Sequence, residues 1–222
     1  ASGIAQGCIY GLIALGFVLI YKATETVNFA QGDLMMLGGF LGLTGTLAMG
    51  LPFWAAFFAA LVVMLFFGMA LERVVLRPLL GHPAFTVVMV TIGVGYLARG
   101  LVTMIPEWGT DTHVLPVPYK DQIVRVGGNG TEGGLILSRE HIVIIVVTAL
   151  LILALYLFFE RTLRGKALRA TAVNRLGARL MGISTSGAGR LSFGLAAFIG
   201  ALSGLLIGPA TTMFYDSGFL IG

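Results

Sequence analysis

The sequence predicts an all-α fold, a polytopic helical membrane protein with at least six transmembrane spans. Three observations predict it. The 222 residues are 57% hydrophobic and only 11% charged, against about 25% charged in soluble domains. A soluble domain of this size has too much surface to hide that deficit in a core, whereas lipid solvates apolar side chains directly. Apolar windows near the length that crosses a bilayer recur along the whole chain. The 32 glycines, costly in soluble helices, suit membrane helices that pack backbone to backbone.

The windows, in order, run over 3–21, 34–51, 53–71, 84–105, 142–159 and 191–207. Residues 160–190 hold seven Lys/Arg (Arg161, Arg164, Lys166, Arg169, Arg175, Arg179 and Arg190), whereas 106–140 hold three together with five acids, Glu107, Asp111, Asp121, Glu132 and Glu140. The positive-inside rule therefore puts 160–190 in the cytoplasm and 106–140 outside. Counting back, Arg73, Arg77 and Lys22 fall inside, and Trp54 and Trp108 land at the outer interface, where indoles sit. Residues 1–222 read as a single transmembrane domain. The chain starts at Ala1, inside an apolar run, and stops just after another, so truncation at both ends is expected.

Several functions are disfavoured. The net charge of +4 is gathered in one loop between apolar spans, which is no nucleic-acid signature. The lone Cys8 makes no disulfide framework. His82, His113 and His141 show no metal-ligand spacing, and neither a phosphate-binding loop nor a nucleophile–base pair stands out. We expect no catalytic residues, no metal and no cofactor bound by this chain.

Two segments stand apart. Asn28, Phe29, Ala30, Gln31, Gly32 and Asp33 form a polar break between apolar spans. Asn28 can cap the following helix, Gly32 permits close approach, and Asp33 suits a first turn. The segment reads either as a capped cytoplasmic turn or as a broken membrane helix whose free N–H groups attract a carboxylate. The second segment, Arg161 to Arg190, mixes its basic residues with Leu168, Leu176, Leu180, Met181 and Ile183 on shared faces. It reads either as a docking surface for another protein or as a segment drawn to anionic lipid. Arg99, inside the fourth window, reads first as snorkelling to the outer interface and second as a residue with a pore role. The rows Gly3, Gly7, Gly11 and Ala196, Gly200, Gly204, Gly208 allow close helix contact and read first as packing within the chain, second as a subunit interface.

The residues from Tyr10 to Gly16 (YGLIALG), Tyr21, and Val27 to Gly38 (VNFAQGDLMMLG) resemble the start of the branched-chain amino-acid ABC permeases. Glu72 to Pro78 (ERVVLRP) is similar to that family's first cytoplasmic loop. Arg164 to Ala170 (RGKALRA), followed by Leu180 to Ile183 (LMGI), is similar to its ATPase-docking loop. The resemblance implies a permease subunit of an ATP-driven importer of branched-chain or other hydrophobic amino acids in the bacterial or archaeal cytoplasmic membrane. Urea and short-amide permeases are close relatives, and a passive solute channel is the rival from another class. It implies as partners a second related permease, two cytoplasmic ATPase subunits carrying ATP and Mg, and a periplasmic or surface substrate-binding protein. It also implies a substrate pathway at Asn28, Phe29, Gln31, Gly32 and Asp33. Coupling to the ATPases, through coupling helices in the 160–190 loop, is implied at Arg164, Gly165, Lys166, Arg169, Ala170, Asn174, Ala178 and Gly182. Where the family usually has His, this chain has Gln31, so no titratable imidazole stands there.

Overall fold

The structure, a computed structural model, describes residues 2–79, 82–106, 108, 112–118, 123–126, 135–209 and 216. Eight α-helices dominate them: α1 (Ser2–Thr24), α2 (Gln31–Leu47), α3 (Phe53–Leu71), α4 (Ala84–Met104), α5 (Arg139–Arg161), α6 (Leu163–Val173), α7 (Arg175–Leu180) and α8 (Thr185–Ile207). Five of these, α1, α3, α4, α5 and α8, are long and apolar enough to cross a membrane. The chain is thus a polytopic helical membrane protein.

The second expected span differs from the others. Helix α2 has 17 residues, about 25 Å of rise, which is short of the roughly 30 Å hydrocarbon layer. It starts three residues before the expected window and ends four before it. The apolar run to Leu51 cannot stay helical, because Gly50 takes φ +62° and Pro52 disfavours helix in the residue before it.

Helix α8 is the hub, buried along most of its length, with α1, α2 and α3 packed around it. Small residues make this possible. A Cβ at Gly38 of α2 would overlap Ala201 of α8, and one at Gly204 would overlap the Met35 carbonyl. The row Ala196, Gly200, Gly204 therefore packs within the chain as expected. The row Gly3, Gly7, Gly11 does not: all three are exposed, with open space around them. Helix α5 is the least buried of the five spans, with Leu150, Leu153 and Leu157 pointing outward, which costs little where lipid is the solvent.

Between α4 and α5, β1 (Ile123–Val126) and β2 (Leu135–Ser138) pair antiparallel, Ile123 opposite Ser138. Glu107, Asp111, Asp121 and Glu132 lie outside the described residues. Leu115 is buried against the core, its N–H bonded to the Gly208 carbonyl at 3.4 Å. Trp54 is half exposed at the start of α3, as an interface anchor should be. Trp108, four residues past the end of α4, is buried instead, stacks on Phe40 of α2 at 5.3 Å and donates its indole N–H to Thr44. A buried indole N–H needs such an acceptor.

At its C-terminal end, α3 runs into a π-helical turn, Glu72–Leu76, and a 3-10 turn, Arg77–Leu79. Helices α6, α7 and α8 are each capped by a side chain three residues before a glycine. Thr162 accepts from the Gly165 N–H (2.9 Å), Asn174 from Gly177 (2.8 Å) and Ser184 from Gly187 (3.1 Å). Each cap satisfies one of the N–H groups that a helix start leaves unpaired.

Candidate functional site

The polar break begins at mid-depth in the bundle. Gln31 donates from Nε2 to the Ala196 carbonyl at 3.0 Å, and Ala196 lies 11 residues into α8, about 16 Å from its inner end. Its amide sits where a Cβ on Gly16 would overlap it, and Gly16 is eight residues before the end of α1. The Phe29 N–H meets the Thr91 hydroxyl at 3.3 Å, seven residues into α4. After α1 ends, the chain therefore climbs back between the helices, and α2 rises from there to the outer side.

The return starts at a tight turn. Glu25 takes φ +59°, and the Thr24 hydroxyl bonds the Ile20 carbonyl and the Thr26 hydroxyl, both at 2.9 Å. Asn28 does not cap α2 as expected. The residue at the cap is Ala30, with no side-chain bond. Asn28 Oδ1 instead accepts the Ala30 N–H at 3.1 Å, closing the turn one step earlier. The first-turn N–H groups of Gly32 and Asp33 are left without an intrahelical acceptor. Asn28, Gln31, Gly32 and Asp33 are buried, and Phe29 is half exposed. Asn28 Nδ2 and Gln31 Oε1 are buried with no hydrogen-bond partner. An unpaired buried amide atom costs roughly 1–3 kcal/mol, and such sites call for an explanation in function.

Asp33 holds the site to α4. Its Oδ1 accepts from Arg99 Nε at 2.8 Å and its Oδ2 from Nη2 at 3.3 Å. Arg99 Nη1 reaches Asp216 Oδ1 at 3.2 Å. The expectation that Arg99 snorkels to the outer interface is thus corrected: its head is paired inside the bundle and stands over the Tyr96 ring. Gly95 makes the pairing possible, because a Cβ there would overlap Asp33 Oδ2. The carboxylate also suits the positive end of the α2 dipole.

The residues of the 160–190 segment sort differently. Arg164 and Lys166 are exposed and Ala170 is half-buried. Gly165 is buried where a Cβ would overlap the Phe158 carbonyl, and Ala178 is buried as well. Asn174 is exposed and caps α7. Gly182 takes φ +80° with open space around it, so its role in the chain is the turn, not a close approach. Arg169, in the implied coupling set, pairs with Glu160 at 2.6 Å. Of the apolar residues read with the basic ones, Leu176, Leu180 and Met181 are more than two-thirds exposed in and just after α7, as is Val173 at the end of α6, whereas Leu168 is buried.

These elements define a membrane protein of many spans with a polar break at mid-depth and a folded segment, α6 and α7, between two of its spans. Residues 1–222 match the family described as the branched-chain amino acid transport system permease component, and the chain belongs to that family. It is similar to the high-affinity branched-chain amino acid transport system permease protein BraD of Pseudomonas aeruginosa, with 31% identity over all of this chain and 74% of that protein. It is similar also to the LivH proteins of Salmonella typhimurium and Escherichia coli, each 29% identical over 93% of this chain and 68% of theirs. No solved structure matches it. Membership makes the chain a transport subunit of the ABC class.

Proposed function

We propose that the chain is the translocating subunit of an ATP-driven importer of branched-chain amino acids in the cytoplasmic membrane. The observation that carries the reading is the start of α2 at mid-depth. A helix N-terminus facing inward from a broken segment offers N–H groups and a positive dipole end to a carboxylate. Asn28 Nδ2 is one more donor with no partner, and Gln31 Oε1 is an acceptor for an ammonium group. The exposed Phe29 gives an apolar surface beside them for a branched side chain. The names of BraD and LivH speak for the same substrate class. On this reading, binding in the pathway is weak, because affinity is supplied by a separate substrate-binding protein.

A second related permease completes the pathway, and two ATPase subunits, which hold the ATP and Mg, dock on α6 and α7. Exposed Val173, Leu176, Leu180 and Met181, interleaved with Arg175 and Arg179, make an apolar surface set among cations. Such a surface fits a protein groove with an acidic rim better than bulk water. The test is uptake of labelled leucine into proteoliposomes holding the assembled complex. We expect ATP-dependent uptake that Asn28→Leu abolishes while the complex still co-purifies. Uptake without ATP would favour a channel, transport of urea in place of leucine would move the substrate class, and full activity of Asn28→Leu would return the segment to a structural turn.

A further inference from the structure

Three arginines converge on one cavity at the cytoplasmic end of the bundle. Arg73 comes from the π-helical turn after α3, Arg164 from α6 and Arg190 from the second turn of α8, and together they line a space of about 610 Å³. The same space is walled by Met69 and Ala70 of α3 and Leu191 of α8. Among the described residues none of the three forms an ion pair. Arg190 Nε is buried with no hydrogen-bond acceptor. The buried carboxylate of Glu72, one residue before Arg73, acts by charge on Arg190. Three guanidinium groups against one acid still leave the cavity strongly positive. Ala70 and Val74 are exposed beside it, on the face that α3 turns outward.

We propose that this cavity binds an anionic phospholipid of the inner leaflet, with its phosphate among Arg73, Arg164 and Arg190 and an acyl chain along Met69, Ala70 and Leu191. Two observations select lipid over a soluble anion. The cavity lies at the inner ends of membrane helices, where headgroups sit, and its walls toward the spans are apolar. Guanidinium groups match phosphate oxygens in geometry and charge, and basic pockets between spans on the cytoplasmic side are suited to anionic headgroups. The ATPase is the weaker candidate, because Val173 and Leu176, proposed for docking, line a second cavity with Arg175 and Arg179, which meets this one only at Ile183 and Ser184. The site draws on the inner ends of α3 and α8 and on Arg164 of α6, and it does not depend on the substrate reading.

Native mass spectrometry of the assembled, detergent-purified complex tests it, with phosphatidylglycerol and phosphatidylcholine of matched chains added in turn. The parent should retain phosphatidylglycerol about tenfold better, a difference of about 1.4 kcal/mol. Combined Arg73→Gln and Arg190→Gln should erase the preference, Arg73→Lys should keep part of it, and soluble glycerophosphate should not displace the lipid. Equal retention of the two lipids by the parent overturns the proposal, as does undiminished preference in the double variant. Displacement by glycerophosphate also overturns it, in favour of a soluble anion. If the double variant fails to assemble, the parent's lipid preference and the Arg73→Lys result decide.

Discussion

Arg99→Met should be among the most damaging single substitutions in the bundle, and more damaging than Asp33→Asn. Asp33 is almost fully enclosed, with its side chain 4% exposed, whereas Arg99 keeps 18% and has a second acid, Asp216, at 3.2 Å. Removing Arg99 leaves a carboxylate buried at mid-depth with no countercharge. Breaking a buried pair in that way costs about 3–5 kcal/mol. Removing the Asp33 charge leaves Arg99 with Asp216 and a partly open path to solvent, so only the charge-assisted hydrogen bonds are lost, about 1.5–3 kcal/mol. Joining the two changes removes the orphaned charge, and the double variant should recover part of the loss of Arg99→Met. Reversible unfolding in mixed micelles, read by helical circular dichroism, gives the four stabilities of the cycle. A coupling of about 1–3 kcal/mol is expected. Equal costs for the two single variants, or simple additivity in the double, would refute the account of Asp33 as a carboxylate that depends on Arg99.

Other consequences can be checked more simply. Gly182→Val places a branched residue at φ +80° and should cost about 1–2 kcal/mol locally; on the proposed reading it lowers ATPase co-purification without loss of the spans. Leu180→Glu with Met181→Glu should release the ATPases while leaving thermal stability within about 0.5 kcal/mol, since both side chains are exposed; retention of the ATPases by this variant counts against the docking surface. Gly38→Leu drives a side chain into Ala201 and should prevent stable accumulation in the membrane, measured by fluorescence size-exclusion. In a Cys8→Ala background, Thr112→Cys should react with an impermeant thiol reagent from outside and Arg179→Cys should not. The reverse pattern would invert the topology.

The spans were legible because lipid imposes a length and a composition. The fifth window, 142–159, sits inside α5 with only flanking polar residues added. What hydropathy does not carry is depth. It finds an apolar stretch near Leu34 but not the level at which α2 begins, which is set by Gln31 meeting Ala196, 165 residues away. Arg99 shows the same gap. Counted along α4 it lies near the outer end, and snorkelling is the lowest-cost fate of a lone cation, but its partner is 66 residues distant. Glycine rows failed in another way: Gly3–Gly7–Gly11 and Ala196–Gly200–Gly204 have one spacing, and spacing alone does not say which face finds a neighbour. One signal was present and unread. Thr162, Asn174 and Ser184 each stand three residues before a glycine, a pattern that marks the starts of α6, α7 and α8 within the basic loop.

The packing also suggests where motion would break the bundle. Helix α8 starts at the Ser184 cap, next to the proposed docking surface, and its Ala196 carbonyl holds Gln31. A helix buried on most sides moves as one body with α1, α2 and α3, so a push at its inner end reaches the start of α2 without passing through a loop. Helix α4 is bound more lightly. Its described polar ties to α2 and the segment before it are the Thr91 hydroxyl and Arg99. Two polar links, eight residues apart on α4 with little apolar packing between them, part more easily than interlocked glycine faces. If access to Asn28 and Gln31 alternates between the two sides of the membrane, Asp33–Arg99 is therefore the contact expected to open. An uptake rate that falls in Asp33→Asn more steeply than stability does would carry that signature.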